Sequence, residues 1–199
     1  MMNVLDIGTG TGLLSLMYAQ KNNTAIIDAV EIEQGTAEQA EENFRNSPWK
    51  DRLQLINADI QDLAAAKKYD LVICNPPFFE NDLLSIEENK NIAMHDTGLS
   101  LAQLIVVIKS HMNADGSFAV LLPYHRVKYF ENLAEENELY PVRKILVRQT
   151  PAHNFFRGIL FFNKKKAGTC VVNELTIKND KQDYTDECKD LLKDYYLYL

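Results

Sequence analysis

The amino-acid sequence predicts an α/β fold in a single domain: a seven-stranded, mostly parallel sheet with an antiparallel last strand and helices on both faces. Three observations predict it. Short apolar runs alternate along the chain with amphipathic stretches. Two later apolar segments are joined by a link too short for a crossover helix, so they should pair antiparallel. Finally, 199 residues at 46% hydrophobic content suffice for one continuous core without disulfides or structural metal.

Taken in order, apolar runs at 3–7, 25–30, 53–56, 69–74 and 118–122 read as the parallel strands. Helical periodicity at 13–20, 34–46, 100–112 and 126–137 supplies the intervening helices. Segments 142–147 and 158–162, joined by RQTPAHNFFR, make the antiparallel pair. The only linker-like stretch is KKKAGT, at 164–169; beyond it 171–177 is a candidate further strand and 185–195 a terminal helix. Residues 164–199 are therefore expected to be an appendage of one domain spanning 1–199.

Composition excludes several function classes. Cys74, Cys170 and Cys188 are odd in number and never form a CxxC pair, so neither a disulfide framework nor a zinc site is indicated, and a reducing cytoplasm fits. The start lacks a basic signal-peptide region, and the apolar run 101–108 is far too short to span a bilayer. The four histidines have no metal-ligand spacing. A formal charge of −7 opposes nonspecific nucleic-acid binding. Yet residues 141–170 hold seven cations (Arg143, Lys144, Arg148, Arg157, Lys164, Lys165 and Lys166) and no acid. Two readings stand side by side: a local phosphate-binding surface, or a strand edge whose lysines discourage aggregation.

The segment Val4-Leu5-Asp6-Ile7-Gly8-Thr9-Gly10-Thr11-Gly12 ends the first strand with an acid and three alternate glycines, a loop that lets a ligand approach the main chain. A dinucleotide fingerprint needs its third glycine at 13, where Leu13 stands. The spacing D-x-G-x-G-x-G instead resembles the first motif of class I S-adenosylmethionine-dependent methyltransferases, a Rossmann-like fold. Glu31 closes the second strand, where a carboxylate can accept from two ribose hydroxyls. The resemblance implies Asp6, Gly8, Gly10, Gly12, Glu31, Asp59 and Asn75 as cofactor-binding residues, with Asp59 at the adenine.

Asn75-Pro76-Pro77-Phe78, at the end of the fourth strand, resembles the motif of methyltransferases that act on exocyclic or amide nitrogens. An exocyclic amine is a poor nucleophile because its lone pair is conjugated with the ring. Acceptors on its N–H groups, from the Asn75 side chain and the Pro76 carbonyl, let the nitrogen pyramidalise toward the methyl group. Prolines stiffen the turn, and Phe78 offers a stacking face for a base, favouring unpaired RNA.

With these motifs in order, the chain resembles the bacterial valine-tRNA adenine-N6 methyltransferases. Further likeness lies in His95, in Leu99-Ser100-Leu101, in the basic late strands and in the terminal DLLKDYYLYL. The resemblance implies methyl transfer from S-adenosylmethionine to N6 of adenine 37 in valine tRNA, with S-adenosylhomocysteine as product. A monomer is favoured with the oligomeric state left open, and neither metal nor membrane is expected as a partner. Its RNA contacts would come from His95, Arg148, Phe155, Phe156 and Arg157. Two departures are expected to matter: relatives carry a segment before the first strand, and Met94 stands where they have arginine. The alternatives are a ribosomal-RNA guanine-N2 methyltransferase, a protein-glutamine methyltransferase, for which tyrosine is usual at Phe78, and a catalytically impaired cofactor- or RNA-binding fragment.

Overall fold

Eight strands form one sheet in the computed structural model, which describes residues 1–76, 99–166 and 168–196. In chain order they are β1 (Met2–Ile7), β2 (Ala25–Glu31), β3 (Leu53–Asn57), β4 (Tyr69–Cys74), β5 (Met112–Pro123), β6 (Tyr140–Arg148), β7 (Phe155–Asn163) and β8 (Val171–Thr176). Across the sheet the order is β3-β2-β1-β4-β5-β7-β6-β8. Strands β1 to β5 pair in parallel, β7 is antiparallel to both β5 and β6, and β8 is parallel to β6. The helices are α1 (Leu13–Lys21), α2 (Gln34–Arg45), α3 (Leu101–His111), α4 (Tyr124–Glu136) and α5 (Asp186–Leu192).

Local chemistry fixes the helix starts. The Glu33 carboxylate accepts from the Gly35 and Thr36 amides at 2.9 and 2.6 Å and so caps α2. These bonds, that from Thr36 foremost, hold its carboxyl below the usual range. Ser100 and Gln103 form a reciprocal capping box at α3, and Thr185 caps α5 through Cys188 N–H.

Alternation along the strands divides the core. Phe118, Val120 and Leu122 of β5 bury toward α3 and α4, where Phe118 stacks on Phe162 at 4.6 Å and Phe130 of α4 meets both rings edge-on. On the other face Val4, Ile27 and Ile73 pack with Ala19 of α1. Beneath β2 the buried Asp28 accepts from Lys67 Nζ at 2.7 Å and from the Tyr69 hydroxyl at 2.8 Å. Burial, and then the carboxylate, push that hydroxyl well above its ordinary pKa.

The mixed, mostly parallel sheet is as expected, with differences in detail. Strand β5 begins at Met112, where α3 ends, rather than at 118; the intervening Met-Asn-Ala-Asp-Gly-Ser has no strand-like pattern. It is held by Met112 pairing with Tyr69 and by a register shift between Tyr69 and Leu71. Among the described residues the sheet has eight strands rather than seven, because β8 adds to β6. Val171 and Val172 are 55% and 52% exposed, so that edge strand lacks the alternation that marks a half-buried one. The expected antiparallel seventh strand is β7, which lies between β5 and β6. Past α5 the chain returns to α1 through Tyr195 Oη on the Met17 carbonyl, Gln20 on the Asp194 carbonyl, and the Lys21–Asp194 ion pair.

The strand order reverses between β1 and β4, and in open α/β sheets the crevice above such a point is where ligands bind. Gly8 and Asn75 follow directly on those two strands.

Candidate functional site

Gly8, Gly10 and Gly12 have φ of +67°, +59° and +85°, a region that L-residues rarely adopt. Gly8 and Thr9 N–H donate to the Val30 carbonyl at 2.9 and 3.0 Å, holding the loop over β2. From beneath, Asp6 is 1% exposed and its Oδ2 accepts from Thr9 Oγ1 and Ser15 Oγ, both at 2.7 Å. Burial pushes the Asp6 carboxyl up, while the hydroxyls oppose that shift. Asp6 is thus engaged in shaping the loop. Gly12 stands behind it, where a Cβ would lie 2.4 Å from Cε1 of the buried Phe44.

Glu31 ties the loop to the next turn. Its Oε2 accepts from Gly10 N–H at 2.9 Å and its Oε1 from Glu33 N–H at 3.0 Å. Each oxygen retains a second lone pair. Asn57 braces the same strand end by donating to the Glu31 carbonyl at 2.8 Å. At the end of β3, Asp59 Oδ1 accepts from Gln61 N–H at 2.9 Å and Oδ2 from Gln61 Nε2 at 3.3 Å. Gln61 Oε1 in turn accepts from Gln103 Nε2 at 3.1 Å, linking this corner to the cap of α3.

These groups line a cavity of about 350 Å³, walled by Gly8, Gly10, Glu31, Asp59, Asn75 and Pro76 and by the apolar Ile32, Ile60 and Leu104. A second cavity, of about 550 Å³, runs from Asp6, Gly8 and Gly10 past Leu13 and Met17 to Leu121 of β5 and Ile159 of β7. Gly8, Gly10, Cys74 and Asn75 belong to both walls. Burial pushes the Cys74 thiol far up, so it packs as a neutral group at this junction. Cβ atoms at Gly8 and Gly10 would meet nothing within 4 Å, so the main chain is open toward the cavities it lines. A loop of bare backbone, two carboxylates and an apolar wall fit a nucleoside-bearing cofactor.

Of the expected site residues, Asp6, Gly8, Gly10, Glu31, Asp59, Asn75 and Pro76 come together in these two walls, whereas Gly12, Arg148, Phe155, Phe156 and Arg157 are in neither. Pro77, Phe78 and His95 lie outside the described residues. The expected basic surface of 141–170 does not form as one patch. Because β7 runs antiparallel, Lys164, Lys165 and Lys166 follow it at the sheet edge opposite the cavities. Lys164 donates to the Met112 carbonyl, and Lys165 pairs with Asp115. Lys144 pairs with the buried Glu131, and Arg148 with Glu174. Arg143 donates to Asn173 Oδ1, while Arg148 and Arg157 lie at the end of β6 and the start of β7, beside Phe155 and Phe156.

Sequence reasoning missed Thr9, Ser15, Gln61 and Gln103. The S-x-x-Q spacing of Ser100 and Gln103 is a capping-box signature that could have located the α3 start. No local signal joins Gln61 to Gln103.

The methyltransferase small domain family matches residues 1–136. A Flavobacterium psychrophilum protein named tRNA1(Val) (adenine(37)-N6)-methyltransferase is 36% identical over 197 residues, covering 98% of this chain and 84% of that relative. A protein of the same name from Trichodesmium erythraeum is 38% identical, covering 98% and 82%. Among solved structures, the Agrobacterium tumefaciens protein Atu636, described as a predicted O-methyltransferase, superposes with TM-score 0.75 at 16% identity, covering 99% of this chain and 91% of its own. The glycopeptide N-methyltransferase MtfA, solved with S-adenosylmethionine, gives 0.61 at 10% identity, covering 83% and 88%. Both structural likenesses show a shared fold.

Proposed function

The chain belongs to the tRNA1(Val) (adenine(37)-N6)-methyltransferase family, and on that premise we propose that it methylates N6 of adenine 37 in valine tRNA, using S-adenosylmethionine and releasing S-adenosylhomocysteine. The observation that carries this reading is the place of Asn75 in the wall common to an acid-lined cavity and a second cavity over β5 and β7. A methyl donor in the first and an amine in the second would meet at this residue.

Gly8 and Gly10 leave the room that close approach of the cofactor requires. Glu31 accepts ribose hydroxyls with the lone pairs left by Gly10 and Glu33, and Asp59 with Ile32, Ile60 and Leu104 receives the adenine. Asp6 and Gly12 shape the loop rather than contact the ligand. When bound, the cofactor supplies an electrophilic methyl group on a sulfonium sulfur. The Asn75 side-chain oxygen and the Pro76 carbonyl accept from the two N–H bonds of the target amine, releasing its lone pair from the ring. Pro77 and Phe78 complete the motif, with Phe78 as the stacking face for the target base. The methylated nitrogen is strongly acidic before it loses its proton, so no strong base is needed. Arg148, Phe155, Phe156, Arg157 and His95 are assigned to the RNA, and the cytosol to the enzyme.

The test is methyl transfer from labelled cofactor to total RNA of a strain lacking the activity, followed by nucleoside analysis. N6-methyladenosine confined to valine tRNA is expected. Label in 2-methylguanosine of ribosomal RNA, or in protein, would overturn the substrate assignment.

A further inference from the structure

Aromatic rings and two guanidinium groups gather where β5 and β6 end and β7 begins. Tyr124 opens α4 directly after β5, and its ring lies 5.5 Å from that of Phe155 at an interplanar angle of 50°. Arg148 also holds its guanidinium 5.3 Å from the Phe155 ring centroid. Phe155 and Arg148 are cross-strand partners on β7 and β6. Next to them the Arg157 guanidinium lies 5.5 Å from the Phe156 ring.

Three features separate this row from ordinary packing. Tyr124 is 42% exposed and Phe156 40%, so two large aromatic faces stand in water at one edge. Arg148 is committed at both ends, its Nε to Thr176 Oγ1 and its NH2 to Glu174, each at 2.9 Å. It therefore backs Phe155 as a fixed flat support rather than reaching outward for a phosphate. Finally, Leu121 and Ile159, which line the second cavity together with Asn75, lie on β5, from whose end Tyr124 continues, and on β7, which carries Phe155. Strand β7 lies two places from β4, about 10 Å at ordinary strand spacing. Asn75 stands level with Leu121 and Ile159, and Phe155 lies four residues further along β7, about 13 Å along the strand, so the ring is a few nucleotides from the residue at the end of β4.

We propose that Tyr124, supported by Phe155 and Arg148, is a stacking platform for an unpaired nucleotide flanking the target adenine. This rests on the RNA substrate proposed above and assigns to that substrate a second contact, outside the reacting base. A ring takes any base face, so the contact is to a single-stranded loop rather than to a sequence. The row holds the loop in place once the target base has left its stack, which is least costly where no partner strand exists.

The experiment compares wild type, Tyr124→Ala and Tyr124→Phe on an unmodified valine-tRNA anticodon stem-loop and on copies carrying one abasic nucleotide each. Tyr124→Ala is expected to weaken RNA binding, and to raise the RNA KM, by about 5- to 150-fold. S-adenosylmethionine affinity should not move, and Tyr124→Phe should restore RNA binding. At one flanking abasic position, wild type and Tyr124→Ala should become equal. Wild-type RNA kinetics in Tyr124→Ala, or a defect undiminished at every abasic position, would overturn the platform while leaving the methylation reading intact; a protein-facing role for the row would give the first result. Failure of the wild type to bind the stem-loop would overturn both.

Discussion

Gly12 and Gly10 lie two residues apart in one loop, yet alanine at each should fail in a different way. At Gly12 the new Cβ meets Phe44 Cε1 at 2.4 Å and Cζ at 2.9 Å. Phe44 is 3% exposed and α2 is tied to the loop by Asn43 on the Thr11 carbonyl, so the ring cannot swing away. Holding alanine at φ +85° costs about 1–2 kcal/mol and the overpacking about 1–3, together about 2–5 kcal/mol. For a chain of this length that lowers the melting temperature by about 4–20 °C. At Gly10 the backbone cost, at φ +59°, is again about 1–2 kcal/mol, but nothing lies within 4 Å of the added carbon except the cavity. Gly10→Ala should therefore stay folded, with a smaller thermal shift, and lose S-adenosylmethionine affinity by calorimetry. Thermal unfolding and titration on both variants decide the matter. A Gly12→Ala protein as stable as wild type, or a Gly10→Ala protein with undiminished cofactor affinity, would refute the reasoning.

Other outcomes follow from the same geometry. The buried Asp6 has a raised carboxyl pKa, so the native state keeps a proton that the unfolded chain has already lost. Its contribution to stability is present below the unfolded value, about pH 4, and is lost as pH rises through the raised one. Urea unfolding at several pH values should show Asp6→Asn gaining on wild type as pH rises above about 4; a constant difference would contradict this. Lys144→Ala strands Glu131, whose side chain is 8% exposed, and should cost about 3 kcal/mol in denaturant unfolding without changing the salt slope of RNA binding. A flatter salt slope would instead make Lys144 a phosphate contact. Tyr69→Phe removes the hydroxyl that donates to Asp28 beside Lys67 and should cost about 1–3 kcal/mol by the same assay. A neutral result would mean that Lys67 alone satisfies the carboxylate.

Much of this site was legible because its parts are local. A glycine loop is written in consecutive residues, and Glu31, Asp59 and Asn75 stand at or just past the ends of strands whose apolar runs are plain in the sequence. Parallel strands bring their ends together without further information. What could not be read depends on tertiary pairing. Arg148 and Lys144 look like free cations until Glu174 and Glu131 come beside them from other elements. The run Lys164-Lys165-Lys166 looks continuous with Arg157 until the reversed direction of β7 carries it to the far edge. Tyr124 and Phe155 are 31 positions apart and show no common pattern. The early half of β5 was hidden for another reason: its Asn-Ala-Asp-Gly-Ser reads as a turn and becomes strand only through pairing across the bulge with β4.

The central claim is that Asn75 works at the junction of two cavities on the reacting amine. Its most direct test is single-turnover methylation of unmodified valine tRNA by Asn75→Ala, with S-adenosylmethionine affinity measured on the same preparation. Because the interaction is needed chiefly in the transition state, the rate should fall by about 100- to 1000-fold while cofactor affinity stays within a few-fold of wild type. A near wild-type rate, or a loss of cofactor affinity as large as the loss in rate, would contradict it.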